Sequence, residues 1–283
     1  MERPATKKKR IRKSTIGIII LLLAGLSILL YPMVSNLWNT HREKQLVSVY
    51  KSEVSDRHQN REREFAKARA YNRELRPKTV PDAFAARAGH RSAAYEKLLN
   101  PMGNGMMGYV TIPSIKVQLP VYHYTTKSVL EKGAGHLLGS SLPVGGKGTH
   151  TVISAHRGLP SAKMFTDLDQ LEKGDVFELH VLNRVLAYQV DQIKVVKPTR
   201  TKALARVPGK DYATLLTCTP YGVNSHRLLV RGHRIPYDPD RPVKIHHNWK
   251  RVMMMLLCVA AGLALAFVIA RGKGISVPVK RKK

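Results

Sequence analysis

The sequence predicts a mainly β domain, a closed barrel or a sandwich, carried between two membrane-spanning helices. Three observations lead there. Seven short runs rich in β-branched and aromatic residues, with turn residues between them, occupy the stretch from Gly108 to Ile235. Two long uncharged runs lie outside that stretch, one beginning near Ser14 and one ending at Ala270. The basic residues gather at the two ends. The chain of 283 residues has 48 Lys and Arg against 19 Asp and Glu, a formal charge of +29. Residues 1–15 hold seven basic side chains and one acid, and residues 271–283 hold six and none, so +17 is left for the remainder.

Taken in chain order, the basic tail at 1–15 is followed by a segment without a charged residue from Ser14 to Thr40, of which Ile16–Leu30 is almost wholly apolar. About 20 helical residues cross a hydrocarbon core of roughly 30 Å, so 16–38 is expected to span. A cleaved leader would have a shorter apolar stretch and a small-residue cleavage site, where this chain has Tyr31–Pro32–Met33. The second run, 252–270, is 19 uncharged residues bracketed by Arg251 and Arg271. With basic tails at 1–15 and 271–283, the positive-inside rule puts both termini in the cytoplasm and the catalytic or binding part outside it.

Residues 39–76 read as a helical stalk: Leu46, Tyr50 and Val54 recur every four residues, and Phe65, Ala68 and Tyr71–Asn72 continue a thinner stripe. Pro77 and Pro81 break the pattern, making 77–92 a loop, and Arg91–Leu99 can form a short helix. The strand-like runs then follow at 108–113, 117–123, 150–156, 176–182, 185–196, 212–218 and 226–235, with a tight turn at Asn183–Arg184 and a short helix expected at 165–175. The β domain is placed at 93–240.

Cys218 and Cys258 are the only cysteines, and Cys258 sits in the second apolar run, so neither a disulfide framework nor a paired-cysteine zinc site is available. Cys218 ends the strand-like TLLTC and precedes the turn TPYG, which holds a thiol on a sheet yet open to a groove. A thiol of pKa about 8.5 needs an imidazole or a cation to act as a nucleophile at neutral pH. Among the histidines His123, His136, His150, His156, His226 and His233, His156 stands out because ISAHRGLP ends a strand and opens a Gly–Pro loop, as Cys218 does. The cation for an oxyanion would come from HRLLVRGHR, where strand parity puts Arg227 and Arg231 on one face and does not choose between them.

With TLLTCTPYGVNSHRLLVRGHR, LLNPMGNGMMGYVTIPSIKVQLPVYHYT and GAGHLLGSSLPVGGKGTHTVISAHRGLPSAKMFTDLDQLEKGD on view, roughly residues 95–236 resemble a class C, pilus-assembling sortase, a family that commonly has flanking spans as well. The resemblance implies an eight-stranded sortase-type β-barrel with short helices. Its cysteine of TLxTC corresponds to Cys218, its histidine to His156 and its essential arginine to Arg227, which settles the parity question. Ala155 stands before the histidine where family members often carry Gly. The implied chemistry is transpeptidation without metal or organic cofactor. The cysteine cleaves an LPxTG-like signal at Thr–Gly through a thioester, and a lysine of the next pilin accepts the acyl group. The family's lid motif, Asp-Pro-aromatic, has its counterpart in Pro81–Asp82–Ala83–Phe84, so Asp82 is expected to pair with Arg227 and Phe84 to lie on Cys218. Ala83 replaces the proline that would stiffen the loop.

The expected setting is the membrane of a Gram-positive bacterium, with pilin subunits and the lipid bilayer as partners. Nucleic-acid binding is excluded by dispersed charge and by 6% aromatics without a stacking platform. Two alternatives stand beside pilus building: a sortase that anchors proteins to a peptidoglycan amine, and a non-catalytic scaffold that binds pilins. The joint presence of Cys218, His156 and Arg227 speaks against the scaffold.

Overall fold

The computed structural model describes residues 13–56, 61–75, 82–84 and 92–246, with scattered residues between 249 and 264. Residues 1–12 and 271–283 of the tails, most of the run at 252–270, and the 77–92 loop apart from Asp82–Phe84 and Ser92 lie outside the described residues. The chain divides into two units, residues 1–34 with 248–283 and residues 35–247.

In the first unit, helix α1 (Lys13–Asp56) begins with the apolar run, and Ile20, Leu21, Leu23 and Ile28 are exposed, as are Met253, Met254 and Leu257. Among the described residues no helix is long and apolar enough to cross a membrane.

The second unit is built on a closed barrel in the order β1-β2-β3-β4-β7-β8-β6-β5. The strands are β1 (Met106–Ile112), β2 (Val117–His123), β3 (Ala134–His136), β4 (Thr149–Ser154), β5 (Val176–Val181), β6 (Arg184–Val196), β7 (Asp211–Thr219) and β8 (His226–Ile235). The β2–β3 and β4–β7 pairs are parallel and the others antiparallel. Every second residue points inward, so Val110, Ile112, Leu119, Ile153, Leu179, Leu215 and Val230 fill the interior, with Phe177 stacked on Tyr188 at 5.6 Å. The closed ring leaves few open edges.

The seven expected strands are present within a residue or two of their bounds. The eighth, β3, was not readable because Ala-Gly-His has no β-former. It exists because the closing barrel places it between β2 and β4, and Gly135 fits because a Cβ there would lie 2.1 Å from the Tyr124 carbonyl oxygen. The helix expected at 165–175 is instead a single 3-10 turn, Leu168–Gln170, within a loop whose Phe165, Leu168 and Leu171 are buried. So few residues cannot offset the cost of nucleating an α-helix. Likewise only α3 (Ala93–Glu96) forms within 91–99, capped by the Ser92 hydroxyl, and α4 (Lys127–Leu130) is equally short.

The stretch read as a stalk is helical, but it lies on the barrel. Glu43, Val47, Tyr50 and Val54 of α1 are buried at spacings of three and four, the last three against Met106, Tyr109 and Tyr122. The Tyr50 hydroxyl donates to the Met107 carbonyl oxygen at 2.9 Å and accepts from the Leu182 amide at 2.8 Å. A second helix, α2 (Arg61–Glu74), adds Phe65 and Ala68 to the main core. Its Asn72 is buried, donating to the Leu142 carbonyl oxygen (3.1 Å) and accepting from the Leu142 amide (2.7 Å). The apolar stripe thus covers barrel surface that a free stalk would leave exposed. Asn72→Ala strands the Leu142 amide, while the Leu142 carbonyl oxygen keeps the Val144 amide (2.8 Å) and the Thr151 hydroxyl (3.2 Å). We expect a loss of about 1.5 kcal/mol in urea unfolding of the chain, with the β signal in circular dichroism retained at low urea. A loss within about 0.5 kcal/mol would show that α2 does not depend on this pair.

Candidate active site

Three neighbouring strands set the site. In the antiparallel β7–β8 ladder Cys218 lies directly across from Arg227, and opposed residues have Cα atoms about 4.5–5.5 Å apart with side chains on one face. In the parallel β4–β7 pair Ser154 stands beside Leu216. Two residues further along each chain come His156 and Cys218. The backbone leading to His156 is held to β7 by the Ala155 amide donating to the Leu216 carbonyl oxygen (3.2 Å) and by the Thr217 hydroxyl donating to the Ala155 carbonyl oxygen (2.8 Å). Ala155 is fully buried in the main core, so its methyl has a place where the family often has none. Cys218 therefore has Arg227 on one side and the His156 segment on the other.

The other histidines are occupied elsewhere. His136 is buried with its ring nitrogens on the Tyr95 hydroxyl (2.7 Å) and the Ser141 carbonyl oxygen (2.8 Å), and burial pushes its pKa down to about 4. His150 sits between the Ala205 carbonyl oxygen and Thr214, with its pKa likewise down to about 4. His123 lies between the Gly105 and Leu98 carbonyl oxygens, while His226 contacts Ser225 and His233 faces Asp191 at 3.9 Å. Arg231 is across from Thr214, two pairs of like facing away from Cys218, and is paired with Asp191 and laid over Tyr212. Register thus separates the two arginines that parity alone could not.

The lid residues sit in this site. Asp82 accepts two hydrogen bonds from the Arg227 guanidinium, both 2.8 Å, with the two side chains 10% and 11% exposed. The Phe84 ring meets the two residues that flank the thiol, 5.6 Å from the His156 ring and 5.1 Å from the Arg227 guanidinium. Ala83 is fully buried among Leu137, Val152, Leu204, Leu216 and Leu229. A proline is therefore not needed to seat this segment: a small apolar side chain on the groove floor and a paired carboxylate hold it.

The electrostatics describe a resting state. Burial pushes the Cys218 thiol above its ordinary value, and Asp82 adds to this while Arg227 opposes it. Burial lowers the His156 imidazole, with Glu131 opposing. The hydrogen bonds to Asp82 raise Arg227 further. Thiol and imidazole are both neutral with the lid residues in place. Reading the sequence did not single out Arg157, which is largely buried, donates to the Thr219 hydroxyl oxygen (3.1 Å) and pairs with Asp169, tying the loop after His156 to the strand end after Cys218. A charged residue between the candidate histidine and a glycine was the available signal. Among the described residues no group of three or more His, Cys, Asp or Glu is placed to hold a metal ion.

This barrel is that of the sortases, a family of cysteine transpeptidases. Residues 110–235 match the sortase domain. The fold is similar to that of Streptococcus pneumoniae sortase C, for which pilin substrate specificity has been described, at 47% identity and a TM-score of 0.62, covering 70% of this chain and all of that one. It is similar also to Group B Streptococcus Pilus Island 1 sortase C2 at 50% identity, TM-score 0.57, over 62% of this chain and 97% of that one. Bacillus anthracis sortase A is 31% identical over 127 residues, 45% of this chain and 59% of its own length. This chain spans less than two thirds of the curated relatives it matches, 47% and 63% for two others. The chain belongs to the sortase family, and its structural neighbours are class C sortases.

If Asp82 and Phe84 hold the thiol in its resting state, Asp82→Ala with Phe84→Ala moves the midpoint of the pH–rate profile for iodoacetamide alkylation of Cys218 downward. In the unsubstituted chain that midpoint lies above the ordinary thiol value, because the shift is upward. We expect alkylation at pH 7.5 to be about tenfold faster in the double variant, the equivalent of one pKa unit. An unchanged rate and midpoint would remove the lid from the site's chemistry.

Proposed function

We propose that this chain is a membrane-anchored transpeptidase that joins pilin subunits, with Cys218 as nucleophile, His156 as acid and base, and Arg227 as the cation for the oxyanion. The observation that carries this reading is the Cys218–Arg227 cross-strand pair with the His156 segment pinned alongside and a carboxylate already occupying the guanidinium. A pilin's LPxTG-like signal displaces Asp82–Phe84 and removes the carboxylate that raises the thiol. Arg227 then favours the thiolate, and the thiol proton passes to His156, which becomes imidazolium. The thiolate attacks the threonine carbonyl carbon, the oxyanion rests against the guanidinium, and His156 hands a proton to the glycine nitrogen as the C–N bond breaks. A lysine amine of the next pilin attacks the resulting thioester, its proton passes to His156, and the C–S bond breaks to return the thiolate.

The similarity to a sortase C with pilin substrate specificity supports the choice of acceptor. The exposed apolar side chains at Ile20, Leu21, Leu23 and Ile28 and at Met253, Met254 and Leu257, with basic tails outside them, support anchoring by 16–38 and 252–270, both termini cytoplasmic and the barrel outside.

The test is mass spectrometry of the full chain in detergent with an LPxTG-type peptide and no amine. We expect an acyl adduct on Cys218 that disappears in Cys218→Ala. In Arg227→Ala the adduct should form about 10²-fold more slowly, the usual loss when an oxyanion donor is removed. A chain that folds but forms no adduct, with or without Asp82→Ala, would overturn the reading.

A further inference from the structure

The far half of β6 has an open edge. Its first six residues, Arg184–Gln189, pair with β5, and Val190 then exchanges hydrogen bonds with Gly174 and Asp175 (2.9 and 2.8 Å). The ladder to β8 shifts register between Val190 and Gln192, and Gln192–Val196 continue along β8 alone. Among the described residues no strand pairs with the other edge of that segment. The segment ends with Val196 across from Arg227, so the open edge runs up to the candidate site.

Its side chains protect it only in part, with Lys194 standing between two apolar residues. Ile193 and Val195 are 37% and 60% exposed, although the residues across from them, Val230 and Leu228, are buried in the core. They lie on the face opposite to Cys218, whose face is shared by Arg227 and Leu229. Edge strands are ordinarily blunted by inward charges, proline or short length, and an apolar pair on a free edge is a template for an added strand. Beyond it the charge has one sign. Lys194, Lys197, Arg200 and Lys202 follow with no acid before Asp211, and among the described residues none of the four has a carboxylate partner.

We propose that this edge of β6 binds an extended, acidic segment of the acceptor protein as an added strand, delivering its lysine to the thioester. The proposal rests on the transpeptidase reading above. The donor's signal takes the face on which Asp82, Ala83 and Phe84 lie. The β6 edge is two strands from Cys218, about 10 Å at ordinary strand spacing, with its apolar pair turned the other way, so both proteins fit at once. The acidic segment meets the four basic side chains, and the alternating side chains of an added strand cover Ile193 and Val195.

The probe is a fluorescent peptide of roughly ten residues, long enough to span the edge, with alternating glutamate and valine and one lysine. Its control is the same peptide N-methylated at alternate residues. Both are titrated by anisotropy against the full chain in detergent. We expect the N-methylated peptide to bind about tenfold more weakly, since it cannot complete a ladder. Ile193→Ser with Val195→Ser should weaken the parent peptide by a similar factor, as should Lys197→Glu with Arg200→Glu, which leaves the apolar pair intact. In all these variants acylation of Cys218 by an LPxTG-type peptide, and release of the thioester by hydroxylamine, should stay within about twofold, while transfer to the peptide's lysine falls about tenfold. Equal binding of parent and methylated peptides, binding unaffected by both pairs of substitutions, or displacement of the acidic peptide by the LPxTG-type peptide would each overturn the proposal. Absence of acylation in the unsubstituted chain would instead sink the transpeptidase reading, and the anisotropy comparison would still decide the edge.

Discussion

The pairing register of β7 and β8 is the constraint on which the candidate site depends. Side chains alternate along a strand, so sliding β8 by one residue would turn Arg227 to the barrel interior and leave Leu228 across from Cys218. That slip is prevented by the interior itself. Ala213, Leu215, Leu228 and Val230 are all buried there, and the alternative register would send polar residues of β8 such as Arg231 and His233 inward. The β4–β7 pairing does the same for the histidine side, with Ala155 both a core residue and the last fixed point before His156. The chemistry is therefore located by hydrophobic packing on the opposite face of the same strands.

On that frame the chain has set one carboxylate against one guanidinium. The pair is largely sheltered from water, both oxygens and two guanidinium nitrogens are satisfied, and the Phe84 ring covers the charge from one side. A sheltered, doubly hydrogen-bonded pair is costly to break by removing one partner and much less so to exchange. A peptide that brings its own groups to Arg227 can replace Asp82 without leaving the guanidinium bare.

The barrel was readable from composition and alternation because seven of its strands are long enough to show a pattern. β3 was not, since three residues without β-branched members become a strand only through the neighbours that enclose them. The short helix expected from FTDLDQLEKGD failed for a related reason: its apolar residues are drawn into the core one by one and do not form a helical face. Of the site, Cys218 and His156 were visible as polar residues at strand ends. Arg227 was one of two positions equivalent by parity; the family resemblance chose it, and the register of β8 gives the physical reason. The packing of α1 and α2 on the barrel was visible only as a periodic stripe, because a stripe tells that a face is covered and not by what. Arg157 was marked only by its place between the candidate histidine and a glycine, since the Thr219 hydroxyl it meets comes from a distant part of the chain.

Because Asp82 is part of the same polypeptide, seven positions beyond Leu75, whose carbonyl oxygen accepts from Arg206, it competes for Arg227 as a tethered ligand. A tether of so few residues sets an effective concentration on the order of millimolar. A free peptide must exceed that value, weighted by its own affinity, before it occupies half of the sites. Its apparent affinity is thus lower than its intrinsic one by the fraction of time the guanidinium is vacant. A substrate held to the same surface as the enzyme has an effective concentration of its own and does not suffer this handicap equally. Selectivity for neighbours over diffusing peptides then arises from the length of a tether, without a single contact that distinguishes one sequence from another.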